Sequence, residues 1–306
     1  MYLYLPVALT SINIIIPIGL GLAVGLLSGL FGVGGGFLMT PLLIMFGIPS
    51  TVAAATDSNQ IVAASTSGTY AHWRVGNVDF KMGLYLLIGG FAGGLLGVQA
   101  IKVLKATGNA DFAIKMTYVL LLGTVGTYMF FESLSSMRKK KVEEEARPEK
   151  ESGFAKLLAR LPLQTHFAKS GVTHSLLLPV IFGGFVGVLG AIMGVGGGFL
   201  MVPIMVYILR MPMHVVVGTS LFQILFNCIE VTFLQAYTNH SVDFVLAVLL
   251  LLGSTVGAQV GAVFGRKLKG EQLKVILAGI VLAVTVKIIF DLTLSPSLLL
   301  AQAGGH

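Results

Sequence analysis

Charged side chains are scarce. Lys, Arg, Asp and Glu together make up 11% of the 306 residues, against about 25% in a soluble globular chain. With so little polar surface the chain cannot cover itself in water. There is one cysteine, Cys228, which excludes an intrachain disulfide and a cysteine-based zinc site; it reads as a small apolar residue in a helix. The six histidines are scattered and form no metal-ligand cluster. No Ser/His/Asp set and no catalytic pair of carboxylates stands out, and the Lys-Ser/Thr pattern of an ATP-binding loop is missing. No enzyme chemistry, metal or cofactor is therefore expected. The first twenty residues hold no Lys or Arg, so the basic region of a cleaved signal is lacking, and the N-terminus is expected to be retained as the lead into a first span.

What is present is apolar sequence. Mean hydropathy is +0.90, and runs near the roughly 20 residues needed to cross a bilayer recur along the chain. These features define an all-α, polytopic helical membrane protein. Unbroken runs such as Val245–Leu252 argue against a β-barrel, whose strands alternate. The 39 glycines suit a bundle of closely approaching membrane helices. The net charge of +7 sits largely in loops and reads as topology rather than nucleic-acid binding.

One stretch organises the rest. Gly32-Val33-Gly34-Gly35-Gly36-Phe37-Leu38-Met39 recurs letter for letter as Gly194-Val195-Gly196-Gly197-Gly198-Phe199-Leu200-Met201, with Pro41 and Pro203 following. The correspondence extends to Pro49 and Pro212, Thr56 and Thr219, Gln60 and Gln223, Val78-Asp79-Phe80 and Val242-Asp243-Phe244, and Gly89, Gly93 and Gly97 with Gly253, Gly257 and Gly261. The offset drifts only from 162 through 163 to 164, so two single-residue insertions account for it. The chain divides into a first membrane repeat (1–131), a central linker (132–173) and a second membrane repeat (174–306).

Each half supplies five apolar segments: Asn13–Phe31, Gly36–Gly47, Thr51–Tyr70, Met82–Leu104 and Phe112–Phe131, then His174–Met193, Gly198–Leu209, Met213–Tyr237, Phe244–Phe264 and Leu273–Phe290. The second of each half is too short for a helix to cross a core about 30 Å thick. It reads as a half-helix, a re-entrant hairpin with its successor, or a span completed by irregular backbone. Short, Gly/Pro-flanked segments at matching places in two halves point to a transporter's binding site. The linker carries Arg138-Lys139-Lys140-Lys141, then Glu143-Glu144-Glu145, and an amphipathic stretch Phe154–Leu161, which reads as a membrane-surface helix or a partner-binding element. Placing its basic run in the cytoplasm puts both termini outside, with an odd number of crossings per half. The two copies are then inverted relative to each other. Only Lys102, Lys105 and Lys115 disagree with that orientation.

The candidate site draws on three regions. Gly34, Gly35, Gly36 and Phe37, with Gly196, Gly197, Gly198 and Phe199, either let helices pack closely or form unwound helix starts whose N–H groups bind an anion. Thr56, Asn59 and Gln60, with Thr219, Ser220, Gln223 and Asn227, are polar groups at a depth where such groups face a cavity or one another. Asp57 and Glu230 are the acids inside expected spans, away from span ends, and are candidates for carrying a coupling proton or pairing a coupling cation. Arg74, in His72-Trp73-Arg74, is either an interfacial anchor or an anion ligand. Asp79 and Asp243 read as helix N-caps.

The duplicated Gly-x-Gly-Gly-Gly-Phe, the downstream Thr and Gln and the basic central linker resemble the sulfite exporter TauE/SafE family. The resemblance covers roughly 19–131 and 174–290. It implies a polytopic inner-membrane protein that moves a small sulfur-containing anion such as sulfite or an organosulfonate. The expectation is thus a secondary transporter of the bacterial or archaeal cytoplasmic membrane, working by alternating access in the direction of export. An anion channel, or a carrier of another small ion, is the alternative. The expected partners are the anion and membrane lipid, with no nucleic acid; a homo-oligomer is compatible with these features.

Overall fold

A computed structural model describes residues 2–31, 36–138, 163–265 and 270–294. Among these residues, ten helices occupy the ten apolar segments: α1 (Ile15–Phe31), α2 (Gly36–Met45), α3 (Ser50–Arg74), α4 (Phe80–Ala106), α5 (Ala110–Arg138), α6 (Leu177–Met193), α7 (Gly198–Pro203, continued by a π-helical turn Ile204–Ile208), α8 (Met213–Leu234, continued by a π-helical turn Gln235–Asn239), α9 (Phe244–Gly265) and α10 (Gly270–Leu294). Among the described residues, three stretches are long and apolar enough to cross a bilayer: Phe80–Ala106, His214–Asn239 and Phe244–Gly261. Shorter apolar helices accompany them, among them Gly36–Met45 and Gly198–Ile208. Large apolar side chains such as Leu84, Ile88, Phe91 and Leu95 on α4 stay exposed on the outside of the bundle, which is the surface a lipid solvent requires.

Two features differ from the all-helical expectation. Strands β1 (Tyr2–Leu5) and β2 (Thr10–Asn13) form an antiparallel hairpin ahead of α1, and β3 (Gln164–Phe167) and β4 (Val172–Ser175) form its counterpart ahead of α6. The second hairpin and the end of α5 occupy sequence assigned to the linker, so residues 139–162 are what lies between them. The amphipathic stretch Phe154–Leu161 and the basic run Lys139–Lys141 fall outside the described residues. Four-residue strands rich in Thr, His, Ser and Tyr carry too little alternation to be told from polar loop.

The hairpin turns explain why both are present. Asp79 caps α4: Met82 N–H donates to its Oδ1 at 3.0 Å, and Ser170, in the turn of the second hairpin, donates both N–H and Oγ–H to its Oδ2. Asp243 caps α9 in the same manner. Leu246 N–H donates to Oδ1 at 3.1 Å, and the N–H groups of Val7 and Ala8, in the turn of the first hairpin, donate to Oδ2. Each hairpin therefore closes a helix start in the other half.

Helix packing is reciprocal as well. α1 packs chiefly on α9, α4 on α6, α3 on α8 and α5 on α10. A Cβ at Gly89 or Gly93 would collide with the carbonyls of Val180 or Gly184, and one at Gly97 would crowd Val188. In the other pair Gly253, Gly257 and Gly261 meet the carbonyls of Ile18, Leu22 and Leu26 in the same way. Every residue in the second list is the sequence counterpart of one in the first. The small residues let the backbones approach closely, which is how helices gain packing energy in lipid.

The two insertions have a physical form. The offset changes from 162 to 163 between Pro203 and Pro212, and from 163 to 164 between Gln223 and Val242. The π-helical turns lie at Ile204–Ile208 and Gln235–Asn239. A π-turn absorbs one extra residue without ending its helix. Backbone positions on either side stay matched: Leu9 and Gly171, Gly47 and Arg210, and Gly76 and His240 form pairs, all with positive φ.

Candidate functional site

The centre of the molecule is built from the glycine motifs and the polar runs of α3 and α8. In the second copy, Gly194, Gly196 and Gly197 have φ of 75°, 65° and 81°, a left-handed path that glycine follows without steric cost. This turn links α6 to α7 and is held by residues of the first half. The Tyr118 hydroxyl donates to the Met193 carbonyl, and the Ser58 hydroxyl donates to the Gly194 carbonyl at 3.2 Å. A Cβ at Gly194 would strike the Ala54 carbonyl. In the first copy Gly34 and Gly35 fall outside the described residues, and Gly36 begins α2.

Both motifs converge on one small buried cluster, formed by Ile61, Ile224 and Cys228. A Cβ at Gly36 would meet Ile61 and lie 3.4 Å from Asp57 Oδ2; one at Gly196 would meet Cys228 and Ile224. Ile61 and Ile224 follow the two matched glutamines in sequence. Beside the cluster the rings of Phe37 and Phe199 stack at 4.6 Å with 16° between planes. The two halves thus touch through equivalent residues, Phe37 with Phe199 and Ile61 with Ile224.

The polar side chains divide into two groups. Thr56 and Thr219 are fully buried and tie the halves together: Thr56 Oγ1 accepts from Asp243 N–H at 3.1 Å, and Thr219 Oγ1 accepts from Asp79 N–H at 3.0 Å. Ser220 donates to the Val217 carbonyl on its own helix at 3.1 Å. Gln60, Gln223 and Asn227 are different. They are buried, and neither the nitrogen nor the oxygen of any of the three amides has a hydrogen-bond partner. Buried amides are normally paired, since leaving one unpaired costs about 1–3 kcal/mol. Asn59 is half-buried.

The acids are placed unequally. Asp57 is fully buried; Thr40 of α2 donates to its Oδ2 at 2.9 Å, and its Oδ1 has no partner. Its counterpart in the second copy is Ser220, and that of Thr40 is Val202, so this pair belongs to the first half alone. Glu230 is half-buried with Oε2 unpartnered. Thr219, Gln223, Asn227 and Glu230 lie on one face of α8, and that face meets α4 where α4 carries glycine. A Cβ at Gly90 would stand 2.5 Å from Asn227 Oδ1, and one at Gly94 would stand 2.7 Å from Glu230 Oε2. Arg74 does not join this centre. It is exposed at the end of α3, 6.0 Å from the Tyr70 ring centre, about 21 Å along the helix from Gln60 at 1.5 Å per residue.

Sequence reasoning passed over Thr40 and Tyr118. Thr40 was detectable as the polar residue directly before Pro41 in an otherwise apolar segment, with Val at the matching position. Tyr118 left no signal, because an aromatic in an apolar helix is ordinary. Cys228, read as filler, packs where the second glycine turn meets α8. Among the described residues no group of three or more His, Cys, Asp or Glu is placed to hold a metal.

The family model for "Sulfite exporter TauE/SafE" matches residues 17–288. A "Probable membrane transporter protein YjnA" of Bacillus subtilis (strain 168) is 29% identical over 279 residues, covering 91% of this chain and all of the relative. A second Bacillus subtilis relative, "Probable membrane transporter protein YunE", is 26% identical over 91% of this chain and 98% of its own length. "Sulfite exporter TauE/SafE family protein 1" of Arabidopsis thaliana is 31% identical over 115 residues, which is 37% of this chain and 25% of that protein. No solved structure matches.

Proposed function

The chain belongs to the sulfite exporter TauE/SafE family, and from that premise we propose that it is a secondary transporter moving a small sulfur-containing oxyanion, sulfite or an organosulfonate, out of the cell across a bacterial or archaeal cytoplasmic membrane. The observation that carries the reading is the set of buried amides without partners. An oxyanion is an acceptor on every side, and Gln60, Gln223 and Asn227 bring NH2 donors to a dry interior where neutral donors bind an anion without the cost of burying a countercharge. The matched glutamines lie beside the cluster where the two glycine motifs meet. In this reading the helix starts at Gly36–Phe37 and Gly196–Phe199 lend their N–H groups to the same ligand.

The halves are taken as inverted repeats, 1–131 and 174–306, around a cytoplasmic linker, with both termini outside. α2 and α7 are then half-helices entering from opposite faces. Rocking of one repeat against the other gives alternating access, with the Phe37–Phe199 stack at the contact that shears. Asp57, held on one oxygen by Thr40, carries the coupling proton, and Glu230 is its second candidate. Membrane potential, which expels anions from a negative interior, is the other source of drive.

The test is exchange of labelled sulfite in proteoliposomes, with sulfate, thiosulfate, sulfoacetate and chloride as competitors. Saturable exchange that one sulfur anion blocks is expected. Gln60→Ala and Gln223→Ala should each raise the KM about tenfold or more, since a hydrogen bond to a charged ligand is worth about 1.5–3 kcal/mol. Flux that rises linearly with concentration would make the protein a channel. No flux of any sulfur anion would overturn the substrate assignment.

A further inference from the structure

A second site lies outside this centre. A cavity of about 470 Å³ opens where the end of α3, the start of α4 and the second hairpin meet, and its walls include Trp73, Asp79, Phe80, Lys81, His166 and Lys169. Two lysines line it, and among the described residues neither forms an ion pair with an Asp or Glu. Lys169 Nζ reaches to within 3.7 Å of where a Cβ on Gly76 would stand, and Lys81 Nζ lies 5.6 Å from the Phe167 ring centre. Asp79 is the one acid in the wall. Both of its oxygens already accept hydrogen bonds, from Met82 and from Ser170. The cavity therefore carries a surplus of positive charge.

The duplication supplies an internal control. At the matching place in the other half, Lys81 is replaced by Val245, Lys169 by Val7 and His166 by Tyr4, while Phe80 and Asp79 are kept as Phe244 and Asp243. The N-cap and the hairpin turn, which hold the fold, are common to both ends. Lys81 and Lys169 have no basic counterpart at the matched positions, so capping does not account for them; the lysine beside the other cap, Lys105, donates to the Asn239 carbonyl at 2.8 Å and the Ser241 hydroxyl at 3.1 Å and is taken up in holding that loop. From the cavity a polar face runs inward along α3: Ser65, Thr69 and His72 lie on one side of the helix, and Ser65 Oγ, Thr69 Oγ1 and His72 Nδ1 are buried without partners.

We infer that this cavity is a one-sided vestibule that gathers small oxyanions before they enter the transporter, with Lys81 and Lys169 as its anion-attracting residues. The inference rests on the anion-transport reading above and adds an asymmetry: one face of the membrane is served by a cationic antechamber and the other is not. Field lines focus in a cleft lined by charge of one sign, so the effect is a lowered apparent KM for anions arriving from that face, leaving the maximal rate unchanged.

The chain's only tryptophan, Trp73, lines the cavity, so local anion concentration can be read without flux. Fluorescence quenching of the purified full chain by iodide, an anion, is compared with quenching by neutral acrylamide at low ionic strength. In K81Q/K169Q the iodide quenching constant should fall about threefold while the acrylamide constant holds. K81R/K169R should restore it, and sulfite should displace iodide in the native chain. In proteoliposomes, K81Q/K169Q should raise the KM severalfold from one side only. An iodide constant that does not fall, or falls no more than the acrylamide constant, would overturn the vestibule. A selective loss of iodide quenching in a protein that moves no sulfur anion would keep the vestibule and sink the substrate assignment instead.

Discussion

Replacing Thr56 with Val removes one hydroxyl and little volume. Asp243 N–H, which donates to that hydroxyl at 3.1 Å, would then be buried with no acceptor. An orphaned buried donor costs about 1–3 kcal/mol. At about 2–4 °C per kcal/mol for a chain of this size class, the apparent Tm should fall by roughly 5 °C. Thr219→Val removes the acceptor of Asp79 N–H at 3.0 Å and should cost about the same. The two bonds share no donor and no acceptor, so the double variant should lose roughly the sum. Thr→Ser at either position keeps the oxygen and should recover most of the loss. Melting followed by tryptophan or reporter fluorescence in one detergent is the assay. Valine variants that melt within 1 °C of the native chain would refute the reasoning, because the reciprocal threonines would then hold nothing.

Further outcomes follow from the same geometry. Gly194→Ala forces a side chain into φ of 75° against the Ala54 carbonyl; it should abolish recovery of folded protein, measured by monodispersity on size exclusion. Gly90→Ala places a Cβ 2.5 Å from Asn227 Oδ1 and should lower sulfite exchange by tenfold or more while insertion and melting change little. Asp57→Asn keeps an acceptor for Thr40 but cannot carry a charge, so exchange should persist while the response to an imposed pH gradient disappears. Deleting Val206 from the π-helical turn Ile204–Ile208 restores the spacing of the first half, and near-normal expression and flux are expected.

Much of the fold was legible because lipid imposes a simple rule on sequence. The ten described helices lie on the ten apolar segments, and Asp79 and Asp243 cap helices as their positions before Phe80 and Phe244 suggested. The duplication could be followed residue by residue through Gly89, Gly93 and Gly97, whose partners proved to be equivalent carbonyls in the other half. The hairpins could not be read, since Gln164–Phe167 looks like polar loop until its turn is seen to cap α4. In the site, the matched Thr and Gln looked alike on the page, both polar and both duplicated. The fold separates them: each threonine is taken by an N–H of the opposite half, while the glutamines are left without partners. That distinction depends on contacts between residues more than 130 positions apart, and local pattern carries no trace of it. The Asp57–Thr40 pair is equally hidden, because Thr40 matters only once α2 folds back on α3.

The exchange of caps between the halves also sets an order of events during synthesis. When α4 emerges, the N–H of Asp79 lacks its acceptor on Thr219, and its carboxylate lacks the Ser170 donors, which come later in the chain. The first half alone therefore lacks the partners that close this helix start. The first hairpin lacks its partner too, its turn having no carboxylate until Asp243 arrives. Both caps therefore need residues from both halves of the chain. A truncated first half should therefore be recognised as incomplete by quality control, and the second half, supplied as a separate chain, should rescue it.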